Sequence, residues 1–294
     1  MSDIKLFKLV GTGVASLPSS SVALEKSLQT LMEQNLEALM GIRFLETEYW
    51  TGLKHNGRID TLGIDENACP VIIEYKRSMN QNVMNQGLYY LDWLMDHKAE
   101  FKLLVMEKLG EDGKDVADKL HWEGVRLICV AGDYTKYDQH AVQQISASIE
   151  LVRYARYGDD LLLLELINTR AATKAEGKAA ATTEAKVAKA QKLDDLHEAL
   201  RAFLVNLADD VSENQLKLYV AYRRIKNFAC VWRGKTELVI WLKVDPTTVA
   251  LEPNFSRDVR TVGHWGTGDL ELTLRTLDDL EKAKQLIVKS YEAS

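Results

Sequence analysis

The sequence has few of the features that mark secreted, zinc-binding or membrane-spanning proteins. Its three cysteines, Cys69, Cys129 and Cys230, are scattered and odd in number, which argues against a disulfide framework and a CxxC zinc site. No run approaches the ~18 uninterrupted apolar residues that a membrane helix needs. The first residues show no basic patch followed by an apolar run, so we expect no secretory signal and a reduced, cytoplasmic protein.

Acidic residues outnumber basic ones, and the excess lies in the first part of the chain. The 294 residues carry a net charge of -6, and residues 1–168 hold 17 Lys and Arg against 25 Asp and Glu. Proteins that bind nucleic-acid phosphates usually present a basic patch, so this balance argues mildly against such a partner. It does not exclude a metal-dependent nuclease, because a metal site concentrates carboxylates.

Residues 169–192 divide the chain into two predicted domains. This segment is rich in Ala, Lys, Thr and Glu, and Val187 is its one large apolar residue. It cannot bury a core, so we expect a solvated linker, in part helical. The predicted domains are residues 1–168 and a smaller α+β domain at residues 193–294.

Hydrophobic periodicity gives the element order of the first domain. An apolar stripe predicts one helix over residues 22–40, with Gly41 as its C-cap. The remaining predictions are strands at 4–10, 42–50, 57–64, 70–77 and 125–131, a helix at 81–97, and a third helix running into Leu109. The core order is helix, three strands, helix, strand.

A short polar turn at residues 65–69 joins two of these strands. If Ile64 pairs with Pro70, the antiparallel register places Asp60 directly opposite Glu74. Their Cβ atoms would then lie ~5 Å apart. The apolar residues before Glu74 indicate a strand that is buried on both faces, where unpaired carboxylates are costly.

Lys76 lies on the same face of its strand as Glu74, because side chains alternate along a strand. Two close carboxylates favour a hard divalent cation such as Mg²⁺, which can polarise a phosphoryl oxygen and activate water. The lysine can orient that water or stabilise charge on the phosphate. The alternative is a structural ion pair between Lys76 and Asp60 or Glu74 at a partly solvated sheet edge.

The stretch GRIDTLGID…PVIIEYKR, after the helix LMEQNLEAL and before NQGLYYLDWL, resembles the PD-(D/E)XK nuclease superfamily. The resemblance covers about residues 22–132 and is strongest to NucS-type and RecB-like nuclease domains. It implies a mixed α/β, restriction-endonuclease-like N-terminal domain that uses Mg²⁺ or Mn²⁺. It also implies a role for each matching position: Asp60 and Glu74 as primary metal ligands, Glu33 as a helix carboxylate assisting metal or water, Lys76 as the catalytic lysine, and Gln86 and Tyr90 as a pair near the scissile phosphate.

The supporting residues have simpler interpretations as well. Glu33 lies at the margin of the apolar stripe and fits a solvated glutamate, Gln86 fits a surface residue, and Tyr90 fits core packing. Two further pairs flank the predicted site. Arg58 and Arg77 suit phosphate contacts or an ordinary surface, and His55 and His97 are predicted to be structural or solvated.

The second domain is predicted from a helix at 193–207, strands at 217–223, 227–232, 237–244 and 270–276, and a helix at 277–291. Its glycine-rich loop, residues 263–268, leads into a strand, so a tight turn explains it better than phosphate binding. The basic and aromatic run at 219–232 suits either nucleic-acid stacking or a core. The domain resembles one that accompanies nuclease-like domains in bacterial proteins, some labelled "predicted transport protein".

These observations lead to one functional hypothesis and a rival. The chain is predicted to be a metal-dependent endonuclease acting on nucleic acid, DNA in the first place, without a membrane partner and with a homodimer as one possible assembly. The rival is a non-catalytic module that binds nucleic acid or protein on a nuclease fold, which the acidic balance favours. A transport-associated role has only the label of similar proteins behind it.

Overall fold

The computed structural model describes residues 4–20, 25–76, 82–158, 160–170, 184–208 and 210–294. The chain divides into two compact units, Met1–Arg170 and Ala171–Ser294. Most of the predicted linker, residues 171–183, lies outside the described residues. A helix already begins at Glu184, within the segment predicted as linker.

The N-terminal unit is built from short helices around one large sheet. Its described strands are β1 (Leu6–Val10), β2 (Gly13–Leu17), β3 (Ser19–Ser20), β4 (Ile42–Trp50), β5 (Arg58–Asp65), β6 (Pro70–Lys76), β7 (Arg126–Ala131), β8 (Ser148–Tyr157) and β9 (Leu161–Arg170). Its described helices are α1 (Glu25–Gln34), α2 (Leu36–Met40), α3 (Gly52–His55), α4 (Asn82–Asp96), α5 (Lys98–Lys108), α6 (Gly113–Asp118) and α7 (Lys136–Gln144).

The sheet is mixed, with its most buried strands in the centre. The strand order is β3-β8-β7-β6-β5-β4, and β9 pairs with the other side of β8. β4, β5 and β6 are antiparallel neighbours, whereas β6, β7 and β8 run parallel. Every residue of β7 is buried, as expected for a parallel strand covered on both faces. The crossover from β6 to β7 contains α4, α5 and α6.

The structure differs from the sequence predictions for this unit in one predicted helix and in elements that were not predicted. The single helix predicted over 22–40 is two helices, because Asn35 interrupts it and its side chain donates to the Leu31 carbonyl at 2.9 Å. The stretch after Leu109, for which no element was predicted, contains α6. β8 and β9 were not predicted at all. The predicted C-cap is confirmed, since Gly41 ends α2 with a φ of 64°.

The C-terminal unit has one antiparallel sheet with helices on one face. Its elements are α8 (Glu184–Val205), β10 (Ser212–Gln215), β11 (Val220–Arg223), β12 (Asn227–Arg233), β13 (Leu238–Leu242), β14 (Ser256–Asp258), β15 (Leu270–Leu274) and α9 (Leu277–Glu292). The strand order is β10-β11-β12-β13-β15-β14. Leucines of α8 and α9 pack against alternate residues of the central strands, such as Leu238, Ile240 and Leu242. The other face of these strands is free of helices within the described contacts.

The glycine-rich loop between β14 and β15 packs onto this second face. A Cβ atom at Gly266 would lie 2.4 Å from Cε3 of Trp241 and 2.6 Å from Cβ of Cys230. Gly268 has a φ of 124°, which side chains rarely adopt, and its backbone lies against Leu242. Close packing of the loop therefore accounts for these two glycines.

Replacing Gly266 with alanine should lower the free energy of unfolding by about 1–3 kcal/mol, because the added methyl group overlaps an indole ring and a sheet residue. Urea denaturation followed by circular dichroism measures the change. Gly263→Ala is the matched control, since no atom lies within 4 Å of its added Cβ. An equal, small effect of both substitutions would contradict the packing role of Gly266.

Candidate active site

Asp60 and Glu74 meet across the β5–β6 hairpin. Ile64 pairs with Pro70, as predicted, and the pairing continues to Thr61 opposite Ile73, so the next position on this register is Asp60 opposite Glu74. The Asp60 amide donates to Oε1 of Glu74 at 3.2 Å, and the Tyr75 amide donates to Oδ2 of Asp60 at 2.9 Å. The two carboxylates are therefore neighbours held by the sheet backbone.

Glu74 is the most unusual group of the pair. Its side chain is 0% exposed, and its Oε2 atom has no hydrogen-bond partner among the described residues. Burial, and next the negative charge of Asp60, raise its pKa to about 9. A buried carboxylate oxygen without a partner is costly, and a cation would supply the missing interaction. The donor set of carboxylate oxygens fits a hard divalent metal.

Helix α1 carries a third carboxylate, that of Glu33, which accepts a hydrogen bond from the buried side-chain amide of Gln29. Gln29 donates to Oε1 of Glu33 at 2.9 Å, to Oγ1 of Thr47 at 3.1 Å and to the Asp60 carbonyl at 2.7 Å. Thr61 also donates to Oε1 of Glu33 at 2.6 Å. Gln29 thus connects the helix to both strands of the β4–β5 pair and positions Glu33 beside Asp60.

Lys76 follows Glu74 by two residues and is half-buried at the end of β6. Its positive charge lowers the pKa of Glu74, opposing the effects of burial and Asp60. Within the described part of the chain, Glu33, Asp60 and Glu74 do not form a closed cluster of three metal-ligating groups. Mg²⁺ commonly takes only one or two carboxylates, with water and substrate phosphate completing its octahedron.

Gln86 and Tyr90 contact each other, as their i,i+4 spacing predicts. Gln86 donates to the Tyr90 hydroxyl at 3.0 Å, and the Arg58 amide donates to the same oxygen at 3.1 Å. Tyr90 is buried in the main core, and its ring packs so closely on Gly57 that no Cβ would fit there. The pair thus anchors the start of β5, and these hydrogen bonds do not reach the carboxylates of Asp60 and Glu74.

Glu48 is a further carboxylate near the site that sequence reasoning missed. The β4–β5 register on either side places it opposite Asp60, and its φ of 50° is a strained backbone conformation of the kind that clusters at functional sites. Lys26 of α1 donates to it at 2.8 Å, and this bond lowers the pKa of Glu48. The negative charge of Glu48 also raises the pKa of Glu74.

One pattern in the sequence predicts part of the group of residues that surrounds Asp60 and Glu74. Lys26, Gln29 and Glu33 follow the i, i+3, i+7 spacing that places residues on one helix face. The position of Glu48 depends on the pairing of β4 with β5, which the sequence analysis did not assign.

Four further residues were considered in the sequence: Arg58, Arg77, His55 and His97. Arg58 is exposed at the start of β5, and Arg77 lies outside the described residues. His55 and His97 contact each other edge to face, with ring centroids 5.7 Å apart, and His97 stacks on Trp93. These contacts agree with a structural role for both histidines.

Comparison with known proteins supplies the family. Residues 183–294 match the model of a domain of unknown function, DUF5655. A Haemophilus influenzae protein described as an uncharacterized protein is 30% identical over 306 aligned residues, which cover 98% of this chain and all of that protein. The chain belongs to the family of this Haemophilus protein.

Its structural neighbours include repair endonucleases. A repair endonuclease from Pyrococcus abyssi is 21% identical, and EndoMS in a complex with double-stranded DNA is 20% identical. Each match has a TM-score of 0.30 and covers 45% of this chain, and the chain spans less than half, 46%, of each neighbour. At that TM-score the likeness carries no argument about the site.

Among the described residues, no helix is both long and apolar enough to cross a membrane.

Proposed function

We propose that the N-terminal unit is a nuclease that uses Mg²⁺ or Mn²⁺ to hydrolyse phosphodiester bonds, with DNA as its substrate. The observation that carries the proposal is the buried Glu74 carboxylate, whose Oε2 atom is unpartnered among the described residues, beside the carboxylate of Asp60. Such an arrangement has no structural benefit without a cation.

The roles of the side chains follow from their positions. Asp60 and Glu74 would hold the metal, which supplies a Lewis acid and a bound water of lowered pKa. Glu33, whose Oε1 accepts from Gln29 and Thr61, would accept a hydrogen bond from a water beside Asp60. The Lys76 ammonium would stabilise the charge that develops on the phosphate during attack.

The second candidate function is a non-catalytic module that binds nucleic acid or protein. The acidic balance of residues 1–168 favours it, because phosphate binding generally needs a basic surface.

Under the nuclease proposal, cleavage of both strands of a duplex would need two active sites, and a homodimer would supply them.

Cleavage assays separate the two candidates. Labelled single-stranded, double-stranded and branched DNA, with single-stranded RNA in parallel, would be incubated with Mg²⁺, Mn²⁺ or EDTA. We expect metal-dependent cleavage that Lys76→Ala and Glu74→Ala each reduce at least 100-fold. The matched controls are Lys119→Ala and Asp118→Ala, two exposed residues in surface ion pairs, which should cleave like wild type.

Two results would refute the catalytic proposal. One is the absence of cleavage on every substrate with both metals, and the other is cleavage that survives both substitutions. Binding of the same substrates without cleavage would favour the non-catalytic module.

A further inference from the structure

The helix-free face of the C-terminal sheet contains a cavity of about 500 Å³. This volume lies within the range of known ligand pockets, roughly 300–1,000 Å³. Three tryptophans line it: Trp232 of β12, Trp241 of β13 and Trp265 of the glycine-rich loop. Arg257 of β14 and Glu271 of β15 line it as well.

The floor of the cavity is a buried polar network. Glu271 is 7% exposed and accepts from Nε1 of Trp241 at 2.9 Å. It also accepts from Nε of Arg257 at 2.6 Å and from Nη2 at 3.0 Å. These bonds fix the guanidinium at the cavity, and the Arg257 side chain stays 59% exposed.

One wall of the cavity is the indole of Trp265, which is exposed and lies on a well-anchored loop. Trp265 is 53% exposed, and its ring centroid lies 5.7 Å from that of Trp232 at an angle of 56°. The loop is held by Gly266 against the sheet and by a stack of His264 on Trp241, with ring centroids 5.9 Å apart. A large aromatic surface held open to solvent in this way contributes little to stability and suits a ligand.

The charges select the class of ligand. The two carboxylates at the cavity are already neutralised, Glu271 by Arg257 and Glu237 by Arg275 at 2.7 Å. Arg257 uses Nε and Nη2 for Glu271, which leaves Nη1 of its exposed guanidinium to donate to a phosphate, and a planar ring attached to that phosphate can stack on the indoles. Polar groups of Asn254 and Thr273 line the same cavity and suit the edge of a heterocycle.

We propose that this cavity binds a nucleobase, supplied by a free nucleotide or by an unstacked base of a single strand. The site is separate from the candidate active site and does not rest on nuclease activity. The basic and aromatic run considered in the sequence is not this site, because Tyr222, Arg223 and Phe228 are buried and only Trp232 reaches the cavity.

Binding and photocrosslinking test the proposal on the full chain in EDTA. One arm measures AMP and dTMP by calorimetry, and the other measures fluorescein-labelled (dT)₁₀ by anisotropy. We expect Trp265→Ala to weaken binding at least fivefold in one or both arms, as expected for loss of one stacking partner. Trp50→Ala, which removes an indole of matched exposure from the other unit, should leave both affinities unchanged.

Crosslinking locates the contact. An oligonucleotide containing 5-bromouracil should crosslink to the tryptic peptide of residues 261–275, which contains Trp265, in preference to residues 44–54, which contain Trp50. Loss of affinity in the nucleotide arm identifies a free nucleotide, and loss only in the oligonucleotide arm identifies a strand. Absence of binding in both arms, or equal affinities of the two variants with no crosslink in residues 261–275, overturns the proposal.

Discussion

Replacing Arg126 with methionine should lower the free energy of unfolding by roughly 3–5 kcal/mol. Arg126 is 2% exposed and donates twice to Glu150, with both distances 2.8 Å. It also donates to Oδ2 of Asp65 at 3.2 Å. Methionine keeps most of the side-chain volume, so the loss reports mainly on two buried carboxylates left without their cation.

Chemical denaturation of the full chain, followed by circular dichroism, measures the change in the free energy of unfolding. In a thermal melt of the same variant, Tm should fall by roughly 10 °C. Lys119→Met is the control, because its ion pair with Asp115 is 66% and 70% exposed and should contribute less than about 1 kcal/mol. Adding Glu150→Gln to Arg126→Met should recover part of the loss. Stability of Arg126→Met within 1 kcal/mol of wild type would show that the network is not needed for the fold.

Replacing Glu74 with glutamine should have opposite effects on stability and on metal binding. In the metal-free protein at neutral pH, Glu74 must take up a proton on folding because its pKa rises to about 9, and glutamine avoids that cost while keeping an acceptor for the Asp60 amide. We expect the metal-free variant to be about 1–3 kcal/mol more stable than wild type.

Thermal melts with and without Mg²⁺ measure both effects. Mg²⁺ should raise the Tm of wild type, because a ligand that binds only the folded state stabilises it, and this increment should be lost in Glu74→Gln. Asp118→Asn, at an exposed ion pair with Lys102, should keep the wild-type response. A destabilised Glu74→Gln that keeps the full Mg²⁺ response would contradict a metal site at Glu74.

The central hairpin was predictable from the sequence because its constraints are local. A polar turn of a few residues fixes the pairing of β5 with β6, so the meeting of Asp60 and Glu74 follows from counting. Strand alternation then places Lys76. Gly41 is likewise predicted by a local rule, the preference of helix ends for a left-handed residue.

The missed parts depend on pairing between distant segments. β8 and β9 contain charged residues such as Arg153 and Glu165, whose bond at 2.8 Å exists only after the strands pair. The buried ion pairs of Arg126 were not predicted for the same reason, because its partners Glu150 and Asp65 are distant in sequence. The cavity of the C-terminal unit draws on residues from 232 to 273, and no spacing rule gathers them. The roles of the site residues themselves stay predictions.

The pairing of the small strand β3 with β8 restricts when residues 4–20 can join the sheet during synthesis of the protein. Ser19 and Ser20 pair with Tyr157 and Arg156 of β8, and the Tyr157 hydroxyl donates to the Ile4 carbonyl at 3.0 Å. Residues 4–20 leave the ribosome before β8 and therefore cannot join the sheet until β8 has been made, roughly 7–27 s later at ordinary elongation rates. During that interval β1 and β2 can pair only with each other, and their apolar side chains Phe7, Leu9 and Val14 are exposed to solvent, as they still are in the folded protein.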